Sequence, residues 1–243
     1  MTSNKYSEKH GFGQHNPKAV LFDMDGVIYN SMPHHATSWH ESMKDFGLDM
    51  PLSGAYEYEG MRGVETIRLL ARRQWHRELS DDEAQRMYRH KSELFAQCPP
   101  AHLMEGIIEL MQQIKDAGMK ICIVTGSAQH VLLDKLENDL KGLVSKELMV
   151  TAFDVEHGKP APDPYLMGLK KCNCGPDEAV VVENAPLGIQ AARAAGCFTI
   201  AVNTGPLADQ VLAVAGASLI LPSIAELSRR WKTIFPPPDP VED

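Results

Sequence analysis

Five short apolar runs recur along the chain, and each is continuous rather than alternating with polar residues. They read KAVLF from Lys18, MKICIV from Met119, ELMV from Glu147, EAVVV from Glu178 and CFTIAV from Cys197. Continuous runs are typical of strands that are buried on both faces of a parallel sheet. Helical patterns separate them, at 104–118, 128–140 and 186–196. This alternation predicts a doubly wound, Rossmann-like α/β fold, in which ligands bind at the carboxyl ends of the strands.

The segment from 32 to 101 breaks this rhythm because it contains no strand-like run. Its apolar residues recur at helical spacing, and Ser80 followed by Glu83 predicts a capping box that opens a helix. We therefore predict an all-helical cap domain that is inserted after the first strand. The predicted organisation is a flexible N-terminal tail at 1–17, a core domain at 18–31 and 102–235, a cap domain at 32–101 and a C-terminal tail at 236–243.

Composition narrows the range of partners. The net charge is −8, whereas a general nucleic-acid binder is more often basic, so we expect no nucleic-acid partner. No apolar run approaches the roughly 18 residues that span a bilayer, and the polar N-terminus lacks the apolar segment of a secretory signal. The five cysteines form no usual zinc pattern and suit core thiols in a reducing compartment. We expect a cytoplasmic protein without a membrane partner.

Polar clusters follow the predicted strands, where parallel strands bring their ends together. Asp23 and Asp25 lie two residues apart and face the same way along an extended chain, so they need a counter-charge. Their hard oxygen ligands favour Mg²⁺, although solvated acids in a loop are the alternative for this motif alone. Glu183 and Asn184 end another strand, where metal coordination would explain a carboxylate that is otherwise costly to bury.

Two further clusters supply groups that bind phosphate. Thr125, Gly126 and Ser127 offer hydroxyl and backbone N–H donors, although helix capping is the alternative role for Ser127. Lys159 follows a predicted strand and precedes a proline, and its point charge suits a phosphate group.

Together these motifs resemble the haloacid dehalogenase (HAD) superfamily. FDMDGV, VTGS, KPAPD and VVENAPLGIQAARAAG stand in the order of its four motifs, and the helical insert resembles the cap of the β-phosphoglucomutase-like branch. The resemblance implies that Asp23 is a nucleophile that forms an aspartyl-phosphate and that Asp25 is the general acid and base. It further implies that Thr125 and Lys159 hold the phosphoryl group. The implied magnesium ligands are Asp23, Asp25 through its backbone carbonyl, Glu183 and Asn184.

Two departures from the family pattern bear on the substrate. Asn184 stands where the family usually has aspartate, which removes one negative charge. In the cap, Gly63 stands in place of the arginine with which the mutases bind a remote phosphate, Arg62 comes one residue early, and Glu59 stands where a mutase commonly has lysine. These features resemble a bacterial subgroup that hydrolyses inorganic pyrophosphate.

That resemblance implies that Glu59 reaches into the site towards the metal and that His35 and Lys91 approach the substrate. A place in a helical linker for His35, and on a solvated helix face for Lys91, are the alternatives. We expect a magnesium-dependent phosphohydrolase that acts on pyrophosphate or on a small phosphate ester. The alternatives are a β-phosphoglucomutase, which interconverts glucose 1-phosphate and 6-phosphate, and a catalytically silent HAD-like binding module.

Overall fold

The computed structural model describes residues 17–126, 130–140 and 142–236 of the chain. Its strands are β1 (Ala19–Phe22), β2 (Lys120–Val124), β3 (Met149–Val150), β4 (Ala179–Glu183), β5 (Phe198–Val202) and β6 (Leu219–Leu221). Its helices are α1 (Met32–Asp45), α2 (Leu52–Glu57), α3 (Gly63–Trp75), α4 (Asp81–Ala96), α5 (Ile107–Asp116), α6 (His130–Asp139), α7 (Asp163–Cys172), α8 (Pro186–Ala194), α9 (Asp209–Ala215) and α10 (Ile224–Ile234). Ser127 and nearly all of both predicted tails lie outside the described residues.

The six strands form one parallel sheet in the order β3-β2-β1-β4-β5-β6. Strand β1 lies between β2 and β4, with Phe22 in register with Ile123 and Val182. The strands β1, β2 and β4 therefore end side by side, and the chain leaves them at one edge of the sheet. This doubly wound α/β architecture confirms the predicted fold class.

Alternate residues of each strand pack on opposite faces of the sheet. Val20 and Phe22 belong to a cluster with α5 and α10, whereas Ala19 and Leu21 belong to a second cluster with α7 and α8. Because helices cover both faces, successive strand residues are almost all apolar. This burial explains why the strands are continuous apolar runs in the sequence.

Helices α1 to α4 lie between β1 and β2 in the chain and share a separate hydrophobic cluster. Met43, Ile67, Leu70 and Met87 are among its buried members. The capping box that begins α4 is present, since the Ser80 hydroxyl accepts from the Glu83 backbone and the Glu83 carboxylate accepts from the Ser80 backbone. The division of the chain into a core and a cap domain at residues 31 and 102 stays a prediction.

Strand β6 is the element that the apolar runs did not predict. It has three residues at the edge of the sheet, and it pairs only with β5. A run this short carries too little pattern to be separated from a loop. Within the described residues, no helix is both long and apolar enough to cross a bilayer.

Candidate active site

The predicted site residues converge at the carboxyl edge of the sheet. Asp23 follows β1, Thr125 follows β2, and Glu183 ends β4, while Lys159 reaches in from the loop that precedes α7. The Thr125 backbone is fixed by a hydrogen bond to the Val150 carbonyl of β3 (2.9 Å), and its side chain is buried.

Lys159 lies at the centre of a buried charged network. Its ammonium donates to the Asp23 carboxylate and to Glu183 Oε1 (2.6 Å). The Tyr165 hydroxyl, on α7, donates to the same Glu183 oxygen (2.7 Å), and the Lys159 ammonium lies 5.1 Å from the centre of the Tyr165 ring. Lys159, Glu183 and Tyr165 are all almost completely excluded from solvent. Four groups from three segments therefore fix one another's positions.

The charges of this network are not balanced, because one ammonium faces two carboxylates. Burial raises the pKa of Asp23 to about 8, the Glu183 and Asp25 carboxylates add to the rise, and Lys159 opposes it. Burial alone would lower the pKa of Lys159, but the carboxylates of Asp23 and Glu183 outweigh it and raise that pKa. Lys159 therefore stays charged at neutral pH, and Asp23 needs further positive charge to ionise fully.

Asp25 belongs to a second network, which leads into the cap. Asp25 Oδ1 accepts from the Ser31 hydroxyl (2.5 Å) and lies 3.3 Å from His35 Nε2, and Lys91 Nζ lies 2.7 Å from His35 Nδ1. A lysine ammonium only donates, so His35 Nδ1 accepts and the imidazole proton resides on Nε2, facing Asp25. Burial would raise the pKa of Asp25, but His35 and Ser31 outweigh it and hold that pKa below its usual value.

Lys91 is not on a solvated helix face, which was the alternative for this residue. Its side chain is 4% exposed, and its ammonium lies 5.2 Å from the Trp39 ring centre and 4.8 Å from that of Phe95. Burial lowers the pKa of Lys91 to about 8, with partial opposition from Asp25. His35 stacks on Phe95 at 4.1 Å between ring centres, and burial also lowers its pKa. His35 therefore faces Asp25 directly, and Lys91 supports His35 from the other side of the ring.

Glu59 extends from the cap to the same edge of the sheet. Its two carboxylate oxygens accept from Asn184 Nδ2 at 2.9 and 3.0 Å. Burial and the nearby charge of Asp23 raise the pKa of Glu59 well above its usual value, and the Asn184 hydrogen bond opposes this. Gly26 makes room for Asn184, since a side chain there would place its Cβ 2.1 Å from Asn184 Nδ2, and its φ of 75° also favours glycine.

These residues fit a magnesium ion. Asn184 Oδ1 is buried and has no hydrogen-bond partner among the described residues, although a buried acceptor normally has a donor or a cation beside it. Beside Asn184, the Glu59 carboxylate lies near enough to the charges of Asp23, Glu183 and Asp25 for them to raise its pKa, so negative charge is in excess here. Across the described chain, no group of three or more His, Cys, Asp or Glu side chains is arranged to hold a metal. The predicted set is different in kind, because it also uses an amide and a backbone carbonyl.

Glu183 has other partners than the predicted metal. Oε1 accepts from Lys159 and Tyr165, and Oε2 accepts from the backbone N–H groups of Asn184 (2.9 Å) and Ala185 (3.1 Å). Four donors leave little capacity for a direct metal bond. The structure instead places Glu183 behind Lys159, where its charge holds the ammonium against Asp23.

The cap arginine does not face the cavity as a phosphate ligand would. Arg62 Nη2 donates to the backbone carbonyls of Val155 (2.7 Å) and Ala152 (3.4 Å) in the core. At the neighbouring position, a side chain on Gly63 would place its Cβ 2.1 Å from the Tyr88 ring. Tyr88 therefore occupies the space that a side chain at position 63 would need.

The site contains residues that the sequence motifs did not indicate. Ser31 and Tyr165 donate to Asp25 and Glu183, and Gly188 is the residue beside which the Glu183 carboxylate fits, since a Cβ there would lie 1.7 Å from Oε1. Their signals were weak: Ser31 follows the DMDG motif by five residues, and Tyr165 reads as an ordinary apolar position of α7.

A cavity of about 400 Å³ opens between the cap and this edge of the sheet. Asp23, Asp25, His35, Glu59 and Lys91 line it together with Gly126. The remaining wall is largely apolar and aromatic, with Trp39, Tyr58, Tyr88 and Phe95. The cavity thus joins the predicted nucleophile to the cap residues that the sequence singled out.

Known proteins have the same organisation. The family model for haloacid dehalogenase-like hydrolases matches residues 20–202. Hexitol phosphatase A of Escherichia coli is 30% identical over 186 residues, which are 76% of this chain and 83% of that protein. Validoxylamine A 7′-phosphate phosphatase of Streptomyces hygroscopicus is 28% identical, over 90% of this chain and 99% of its own.

A solved structure from Bacteroides vulgatus, provisionally named a β-phosphoglucomutase, superposes with a TM-score of 0.90 at 47% identity. The superposition covers 96% of this chain and 94% of that one. The chain therefore belongs to the haloacid dehalogenase-like hydrolase family, as one of its phosphatase and phosphotransferase enzymes.

Proposed function

We propose that this protein is a magnesium-dependent phosphohydrolase that works through an aspartyl-phosphate on Asp23, with inorganic pyrophosphate as its leading substrate. The observation that carries the proposal is the contact between Glu59 of the cap and Asn184 of the core, beside Asp23. By the resemblance, Glu59 stands where a mutase commonly has lysine, so a carboxylate at this place supports a hydrolase over a mutase. A cytoplasmic location is part of the same proposal.

In the first half of the reaction, an Asp23 oxygen attacks phosphorus and the bond from phosphorus to the bridging oxygen breaks. In the second half, Asp25 takes a proton from water as the water oxygen bonds to phosphorus. The bond from phosphorus to the Asp23 oxygen breaks, which releases phosphate and restores the Asp23 carboxylate. Lys159 offsets the charge on Asp23 and on the transferring group. Thr125 and Gly126, which follow the neighbouring strand β2, would bind the oxygens of that group. Glu183 and Tyr165 keep Lys159 in place.

Magnesium would be held by Asp23, the Asp25 backbone carbonyl and Asn184 Oδ1, with Glu59 beside them. When bound, it supplies positive charge at the oxygens of the transferring phosphoryl group. Asn184 Oδ1, which has no hydrogen-bond partner in the described part of the chain, and the raised pKa of Glu59 support this arrangement, because both are unfavourable without a cation nearby.

His35 and Ser31 stabilise the ionised carboxylate of Asp25, which suits a base that activates water. Departing phosphate is a better leaving group than a sugar oxygen and depends less on a proton from an acid. The ionised state of Asp25 is compatible with both substrates, because an aspartate is ordinarily ionised at neutral pH.

A second candidate is a phosphatase or mutase that acts on a sugar phosphate. The cavity of about 400 Å³ is larger than pyrophosphate requires, and its aromatic wall suits an organic group. The relatives named for hexitol and validoxylamine phosphates agree with this alternative. Three features argue against the mutase: the carboxylate of Glu59, the absence of a side chain at Gly63, and the hydrogen bonds of Arg62 to core carbonyls.

The two candidates are separated by measuring phosphate release with magnesium over pyrophosphate, hexitol phosphates and β-glucose 1-phosphate. We expect kcat/KM for pyrophosphate to exceed that for β-glucose 1-phosphate by at least about tenfold, which equals about 1.4 kcal/mol. Glu59→Gln should lose most pyrophosphatase activity without gaining mutase activity, and Glu57→Gln in the same region is the matched control. Faster interconversion of glucose phosphates than pyrophosphate cleavage would restore the mutase assignment.

A further inference from the structure

A short turn of the cap lies directly on the core at the active site. This cap turn, residues 58–62, joins α2 to α3. Its Glu59 contacts Asn184, and a side chain on Gly60 would place its Cβ 3.0 Å from Lys159 Cδ. The turn therefore covers two segments of the site at once, and its position decides whether Glu59 and Lys159 face the same substrate.

Arg62, at the end of the cap turn, contacts a third segment. Its Nη2 donates to Val155 O at 2.7 Å and to Ala152 O at 3.4 Å. The aliphatic stem lies on Gly158, where an added Cβ would be 3.1 Å from Arg62 Cγ and 3.6 Å from Cδ. The side chain thus spans the core loop 152–158 along its length.

The loop that Arg62 contacts leads directly into Lys159. At its start it is attached to the core, since the Asp154 carboxylate accepts from the Thr151 backbone (2.8 Å) and from Lys171 (2.9 Å). Arg62 contacts Ala152 before this attachment, and Val155 and Gly158 between the attachment and Lys159. A group from the cap is therefore in contact with the segment that carries the catalytic ammonium.

We propose that Arg62 is a positioning residue that holds the cap turn against the loop 152–158, and so stabilises the closed arrangement in which Glu59 and Lys159 act together. Its effect on turnover rests on the proposed function, whereas its effect on the loop does not. Among the described residues, Arg62 has no hydrogen bond to Asp23 or Asp25, and its Nη2 donates to two backbone carbonyls of the loop. A guanidinium suits this role because its planar group holds the two N–H donors of Nη2 in fixed directions, one for each carbonyl.

The kinetic test compares Arg62→Met, which keeps the stem but removes the donors, with wild type. Arg68→Met is the matched control, because Arg68 bonds to Asp81 within the cap. We expect kcat/KM for phosphate release from the best wild-type substrate to fall about tenfold in Arg62→Met and to stay within about twofold in the control. Arg62→Lys, which keeps the charge but lacks the fixed donor directions of the guanidinium, should recover about half of the loss on a logarithmic scale.

The structural test is independent of turnover. Amide hydrogen exchange is measured for segments 58–62 and 152–158, with magnesium and inorganic phosphate present as the probe. We expect exchange in both segments to quicken by about tenfold in Arg62→Met, with no change in α5 or β1, because only the contact between cap and core is lost.

The outcomes are distinct. Unchanged hydrogen exchange in both segments overturns the proposal, whatever the kinetic constants of the variant are. If KM rises while exchange is unchanged, Arg62 contacts the substrate instead. If the wild type releases phosphate from no substrate, the proposed function fails, while exchange still decides the role of Arg62. If Arg62→Met folds poorly, Arg62→Lys and Arg62→Gln are measured in the same way.

Discussion

Replacing Lys91 by methionine should make the protein more stable and less active. The charged ammonium of Lys91 is 4% exposed, and burial lowers its pKa from 10.5 to about 8. A difference of about 2.5 pKa units corresponds to roughly 3 kcal/mol that the folded state loses by keeping the ammonium charged. Methionine has a similar length and no charge, so it avoids this cost.

Two contacts reduce the expected gain. The ammonium lies over the rings of Trp39 and Phe95, and each such contact is worth about 0.5–1 kcal/mol. The hydrogen bond to His35 is also lost, although His35 is 22% exposed and water can replace the donor. We therefore expect Lys91→Met to raise the free energy of unfolding by about 1–2 kcal/mol at pH 7. Phosphate release should fall at least about tenfold, since the ammonium faces the substrate cavity.

The stability difference between Lys91→Met and wild type should also depend on pH. Between pH 8 and 10.5 the unfolded chain binds a proton on Lys91 that the folded protein has lost, so the Lys91 contribution to stability rises with pH. The advantage of Lys91→Met should accordingly shrink across this window. Urea unfolding at pH 7 and pH 9.5 measures it, with Lys44→Met on the exposed face of α1 as the control. A variant less stable than wild type at pH 7, or a difference that does not change with pH, would refute the reasoning.

Three more predictions concern the centre of the site. Asp23→Asn should keep the circular dichroism spectrum and lose phosphate release, because an amide is a poor nucleophile; substantial residual turnover would exclude covalent catalysis by Asp23. Chelation of divalent ions should abolish activity, magnesium should restore it and zinc should not, since the proposed ligands are oxygens; full activity in excess chelator contradicts this. Gly188→Ala should lose activity and about 2–3 kcal/mol of stability, because its Cβ would lie 1.7 Å from Glu183 Oε1. Gly54→Ala, whose Cβ meets ordinary contacts at 3.5 Å, should change neither property.

The fold was largely predictable because burial on both faces of a strand requires a continuous run of apolar residues. Strands β1, β2, β4 and β5 are covered on both faces, and each is a continuous apolar run. The α4 capping box was also predictable, since its two hydrogen bonds join residues three apart. Strand β6 carries no comparable mark, because it has three residues and one neighbour.

The site was predictable where it depends on strand ends, and unpredictable where it depends on the placement of side chains. Asp23, Thr125 and Glu183 follow from the topology of a parallel sheet. The hydrogen bond from Tyr165 to Glu183 depends on how α7 packs against the sheet. The sequence pattern does not show how a buried helix is rotated about its own axis. The direction in which the Arg62 side chain points depends on the backbone of the cap turn, which the sequence pattern does not give. In the sequence, Gly63 indicated only that the arginine of the mutases is absent at that position.

The substitution of asparagine for the family's usual aspartate becomes understandable together with Glu59. Asn184 lowers the negative charge of the core site by one, and Glu59 brings one carboxylate to the same place from the cap. In the core alone, a metal ion would meet Asp23, a backbone carbonyl and a neutral amide. With the cap turn in place, the carboxylate of Glu59 is added, and its raised pKa returns towards the usual value when a cation lies beside it. The negative charge that would bind the cation tightly, and through it a highly anionic substrate, is then complete only when the cap covers the site. An enzyme built in this way discriminates against any substrate that keeps Glu59 from reaching Asn184, and under the proposed function a highly charged diphosphate gains most from the completed site.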